Sequence, residues 1–125
     1  MTPRVARIDH VQLAMPQGQE VEAIGFYAGL LGLEHVEKPP VLAARGGCWF
    51  RLGEVELHLG VEEPFVPARK AHPALVVDGY DEFLVILASV GVDVRPDTSI
   101  EGVTRCHVDD PFGNRIELIA EPSPR

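Results

Sequence analysis

Four features of this 125-residue chain recur in the same order at offsets of 59 to 62 residues, and that repetition limits what it can fold into. His10 and His72 each stand in the first apolar stretch of a half. Gly32 and Gly91 each follow a helical stretch. Leu52-Gly53 and Phe112-Gly113 each mark a turn, and Glu56-Leu57 and Glu117-Leu118 each stand in the last apolar stretch. A half of about 60 residues has too little interior to stand well alone. Two such halves on one chain bury their sheet faces together, and equivalent residues then face each other near an approximate two-fold axis.

The local patterns agree with this division. Val5 to Ala14 reads as a strand with His10 and Gln12 on one face. Val21 to Leu31 reads as a helix with the stripe Val21, Ile24, Ala28 and Leu31, closed by Gly32. Leu33 to Glu37 is a short strand stopped by Pro39-Pro40. Cys48 to Leu52 and Val55 to Leu59 form a hairpin about Gly53-Glu54. Gly60 to Lys70, with Pro64 and Pro67, is a connector. The second half repeats the order, with a strand over His72 to Val77 and a helix over Glu82 to Val90. That helix has Asp81 as its candidate N-cap and Phe83, Ile86, Leu87 and Val90 on one face. A strand over Val92 to Arg95 precedes a hairpin of Val103 to Asp109 and Arg115 to Ala120. The tail from Glu121 to Arg125 is Pro-rich and reads as loose.

Two His and two Glu, matched by the repeat, point to a shared divalent-metal site: His10, His72, Glu56 and Glu117. Unpaired carboxylates are costly in an apolar cavity and repel each other. A cation resolves both problems, and imidazole nitrogen with carboxylate oxygen suits Zn, Ni, Mn, Fe or Co. The net charge of −8 disfavours nucleic acid and anionic membranes as partners. No apolar run is long enough to span a bilayer, and the N-terminus carries no export-type apolar stretch, so a cytoplasmic protein acting on a small molecule or another protein is expected. Cys48 and Cys106 lie outside any C-x-x-C spacing and read as two buried thiols.

The chain resembles the vicinal oxygen chelate superfamily, which includes glyoxalase I, bleomycin-resistance and fosfomycin-resistance proteins and extradiol dioxygenases. The resemblance lies in Ile8-Asp9-His10-Val11-Gln12-Leu13, Phe26-Tyr27-Ala28-Gly29-Leu30-Leu31-Gly32-Leu33 and His72-Pro73-Ala74-Leu75-Val76-Val77-Asp78. Its most specific motif is Asp110-Pro111-Phe112-Gly113-Asn114-Arg115-Ile116-Glu117-Leu118. It implies an α+β fold of two βαβββ modules in tandem, forming a curled mixed sheet around a central cavity, within a single domain over 1–125. Module one then covers about 5–60, the connector 61–70 and module two about 71–121. The resemblance also implies a homodimer and the ligands His10, His72 and Glu117. A fourth ligand falls in the last strand of module one. Glu56 fits because Glu56-Leu57 mirrors Glu117-Leu118; His58, two residues on, is a rival or lines the cavity.

A metal-dependent enzyme of glyoxalase-like type follows, with isomerase or lyase chemistry on a small vicinal-oxygen substrate. Glu56 or Glu117 would serve as base, and His58, His107 and Arg105 would contact substrate, Arg105 through a carboxylate. The alternative is a metal-free drug-binding protein of the bleomycin-resistance type.

Overall fold

The computed structural model describes residues 2–121, so all of the expected loose tail but Glu121 lies outside the described residues. Module one contains β1 (Val11–Met15), α1 (Glu20–Ile24), a π-helical turn (Gly25–Leu30), β2 (Glu34–Val36), α2 (Pro40–Ala43), β3 (Cys48–Leu52) and β4 (Val55–Val61). Module two contains β5 (Ala74–Val77), α3 (Tyr80–Ser89), β6 (Arg95–Pro96), β7 (Arg105–Asp109) and β8 (Arg115–Ala120). Each module is a four-stranded mixed sheet, in the orders β1-β4-β3-β2 and β5-β8-β7-β6, with its first strand parallel to its last. The α+β architecture and the tandem modules are as expected, but as two separate mixed sheets.

Both first strands are shorter than their apolar patterns. The β1 ladder begins with Val11 opposite Leu57, and β4 itself begins only at Val55, after the turn. Residues before Asp9 therefore have no strand to pair with, and Val5 and Ile8 are exposed. In β5 the ladder begins with Ala74 opposite Glu117, directly after Pro73, which has no N–H to donate. His10 and His72 thus precede their strands instead of lying within them.

The first helix also departs from its 3.6-residue pattern. Leu31 N donates to Phe26 O, five residues back, at 3.0 Å. The buried face is Ala23, Phe26, Tyr27 and Leu31, with Ile24 and Ala28 packed against the core, while Val21, upstream of the wide turn, is 79% exposed. Gly32, at φ +79°, closes this helix, with Leu33 N bonded to Tyr27 O. Pro40, expected to stop structure, instead opens α2 at its first turn. In α3 the cap is Gly79, and Asp81 stands inside the first turn. Its packed face is Tyr80, Phe83, Leu84 and Leu87; Ile86 and Val90 are exposed.

One apolar cluster runs through both modules, from Met15, Tyr27, Phe50 and Leu57 to Leu87, Val108, Ile116 and Leu118. A polar clasp joins them. Tyr27 Oη donates to Asp110 Oδ2 at 2.7 Å. Asn114 Nδ2 donates to Ala14 O in β1 and to Asp110 Oδ2, while Asn114 Oδ1 accepts from Ala68 N in the connector. Cys48 and Cys106 are buried and unpaired, as expected. Among the described residues, no helix is long and apolar enough to cross a membrane.

Candidate metal centre

Alternation along β7 buries Cys106 and Val108 in the core and turns Arg105 and His107 to the opposite face. The β7–β8 register then sets His107 directly opposite Glu117. His72, just before β5, reaches the same carboxylate. Donor atoms of His72, His107 and Glu117 all lie within 4.8 Å of one another, the one such convergence of three among the described residues. His72 Nε2 is 3.0 Å and His107 Nε2 3.5 Å from Glu117 Oε1.

The hydrogen bonding of His72 bears on what this group can hold. Its Nδ1 faces the Lys70 carbonyl at 2.7 Å, an acceptor only, so Nδ1 carries a proton. In neutral His72, Nε2 then presents a lone pair to a carboxylate oxygen, which needs a proton or a cation between them. A backbone acceptor on the far ring nitrogen is also how metal-ligating histidines are commonly oriented. Two imidazole nitrogens and a carboxylate oxygen therefore fit a divalent ion of the late first-row type.

Glu117 is buried, with a side chain 8% exposed. Burial alone would raise its pKa, but the close approach of His72 and Arg105 to its oxygens outweighs it and holds the carboxyl below its ordinary value. Arg105 Nη1 donates to Glu117 Oε2 at 3.2 Å. Its Nη2 reaches Asp97 Oδ2 at 3.1 Å and Ser99 Oγ at 3.0 Å. Arg105 Nε is buried without a partner. Ser99, through its hydroxyl and backbone N–H, holds Asp97 below the usual carboxylate range, with Arg105 contributing.

The module-one residues form a second group. Glu56 and His58 lie on one face of β4, with Glu56 Oε2 3.4 Å from His58 Nε2. His58 is stacked between His10 and Trp49, with ring centroids at 4.3 and 4.1 Å. His10 Nδ1 contacts Asp9 at 3.0 Å. Phe50, beside Trp49 in sequence, is in the core. The cross-strand partner of Glu56 is Arg51, where module two has His107 opposite Glu117. Module one therefore lacks a matching three-donor set. Of the four ligands expected from the repeat, His72 and Glu117 are brought together, while His10 and Glu56 stay with His58. His10, Glu56 and His72 nevertheless line one cavity of about 730 Å³.

His107 was expected to contact substrate, and its place among the donors is what strand alternation alone does not reveal. Counting back along both strands from Asp109 opposite Arg115, across the Pro111-to-Asn114 turn, would have placed it against Glu117.

No family model and no curated protein matches the chain. Solved structures do. A glyoxalase family protein from Bacillus anthracis is 47% identical, with a TM-score of 0.91, over 97% of this chain and 99% of that one. The fosfomycin resistance protein FosX from Listeria monocytogenes shares the fold at 13% identity and a TM-score of 0.74, over 94% and 95% of the two chains. A glyoxalase/dioxygenase from Nostoc punctiforme shares it at 19% identity and 0.73, over 98% and 99%. The two-module fold is that of the vicinal oxygen chelate superfamily, and within it this chain belongs to the glyoxalase family.

Proposed function

We propose that the protein is a divalent-metal-dependent enzyme of glyoxalase-like type, carrying out isomerase or lyase chemistry on a small substrate with vicinal oxygens. The observation that carries this reading is the pairing of His72 Nε2 with Glu117 Oε1 at 3.0 Å, while His72 Nδ1 is spent on a carbonyl. His72, His107 and Glu117 would hold the ion, with His10 and Glu56 as the module-one candidates. When bound, a divalent ion stabilises negative charge developing on a substrate oxygen. Glu117, with both oxygens engaged, is suited to holding. Glu56 is less buried and meets Arg51 at 3.7 Å and His58 at 3.4 Å, which supports its role as the base that would take a proton from substrate and return it. The small-molecule substrate would occupy the cavity that Glu56 and His72 both line.

The first test is metal analysis of the purified protein. One divalent ion per chain is expected. His72→Ala and Glu117→Gln should weaken binding by more than about 100-fold, because even residues that only orient a ligand cost 10–100-fold. A protein that holds no metal and takes none up on reconstitution would rule the reading out. The Trp49–His58–His10 stack beside Asp9 and Glu56 supports a second reading, a metal-free protein that seats a flat cationic ligand. Binding of a cationic glycopeptide drug that survives chelation would favour it.

A further inference from the structure

We propose that Arg105 is a positioning residue that restricts Glu117 to offering one oxygen, Oε1, to the ion; this rests on the metal reading above. A carboxylate can give a cation one oxygen or both. Here the two oxygens of Glu117 are divided between different partners. Oε1 faces both imidazoles, at 3.0 Å from His72 and 3.5 Å from His107. Oε2 accepts from Arg105 Nη1 at 3.2 Å. Turning Glu117 to present both oxygens would break that bond where water cannot readily replace it, since the side chains are 8% and 16% exposed.

Arg105 cannot simply follow a turning carboxylate. Its other end is fixed by Asp97 at 3.1 Å and by Ser99 at 3.0 Å, and Ser99 is itself bonded to Asp97 at 2.6 Å. The guanidinium is placed by its two ends even though its Nε is left buried without a partner. A planar fork can span two acceptors in this way; a lysine ammonium is a point charge on a flexible stem. The consequence for the site is vacancy. Three donors of one atom each leave positions on the ion for substrate oxygens, and a two-oxygen Glu117 would fill one of them.

The competing role, a plain positive charge, has the opposite signature. A guanidinium near a cation opposes its binding, so removing the charge alone would tighten the site. Co²⁺ separates the two roles, because its visible bands report coordination number while chelator competition reports affinity. The wild-type chain, Arg105→Lys, Arg105→Gln and Asp97→Ala would each be loaded with Co²⁺ after circular dichroism confirms folding. The wild type is expected to show intense bands. Both Arg105 variants are expected to lose intensity and shift to shorter wavelength, as Glu117 supplies a second oxygen, and Asp97→Ala is expected to shift the same way by less. Wild-type spectra in the folded Arg105 variants would overturn the proposal whatever the affinity, and tighter binding with unchanged bands would identify Arg105 as a charge only. Should Arg105→Gln not fold, unchanged bands in Arg105→Lys and Asp97→Ala decide against it. A wild type that takes up no Co²⁺ overturns both this proposal and the metal reading; uptake with indifferent variants overturns this one alone.

Discussion

His58 sits between the rings of His10 and Trp49 and has a side chain only 9% exposed. Burial, and then the charge of His10, hold its imidazole below the ordinary value of 6.5, against the opposing pull of Glu56. The unfolded chain therefore binds this proton more readily than the folded one. Stability is fully present above pH about 6.5 and is lost as pH falls through the lower folded value, with a slope of at most about 1.4 kcal/mol per pH unit for one proton. Urea denaturation of the metal-free protein should give a lower midpoint near pH 5.5 than near pH 7.5. His58→Gln should shrink that difference, and an undiminished difference in the variant would place its origin elsewhere. At this scale the sequence was uneven. Glu117 was legible because its motif and the repeat both mark it. The repeat favoured Glu56 over His58 as fourth ligand, and the two share one face of β4 and touch. Arg105 was expected to hold a substrate carboxylate, and it meets the carboxylates of Glu117 and Asp97, a partnership that depends on where the Asp97–Ser99 turn falls.

Among the elements, β8 and β3 were legible to the residue, because each is a short apolar stretch entered from a well-marked turn, Pro111-to-Asn114 for β8 and Gly46-Gly47 for β3. The helices were less so. Periodicity assumes 3.6 residues per turn, and the π-helical turn over Gly25–Leu30 breaks that assumption midway. In α3 the stripe was displaced because the cap is a left-handed glycine, Gly79 at φ +70°, with no capping side chain to read. The entry to β3 is more tightly specified than its composition suggests. Gly47 has φ +87°, and a Cβ there would lie 2.2 Å from the Leu59 carbonyl oxygen across the ladder. Gly47→Ala should therefore cost at least about 2 kcal/mol, beyond the strain of the left-handed conformation alone. Denaturant titration would show it; a loss under about 1 kcal/mol would mean that β3 and β4 can part without penalty.

For the whole molecule, the duplication was the most legible property, since it needs only order and spacing. How the halves meet was not legible, because it involves contacts such as Tyr27 to Asp110 and Ala14 to Asn114, 83 and 100 residues apart in sequence. Tyr27→Phe removes the hydroxyl that donates to Asp110 while keeping the ring in the core, and should cost about 1.5–3 kcal/mol, as for a hydrogen bond to a charged group. A urea midpoint unchanged by that substitution would show the clasp to be incidental. We propose a homodimer that buries the cavity rim, where Ile8 and Val66 are exposed. Sedimentation should give twice the chain mass for the wild type and a shift toward monomer for Val66→Glu. A monomeric wild type would count against that assembly. Asn114 carries one more implication. Its side chain grips Ala68, in the connector, and Ala14, in the other half. The connector exists only where two halves share a chain, so the Ala68 bond is one that two separate half-length chains could not make. The two halves, however alike in outline, are therefore not interchangeable: the residue after the turn glycine is Asn114 in module two and Glu54 in module one.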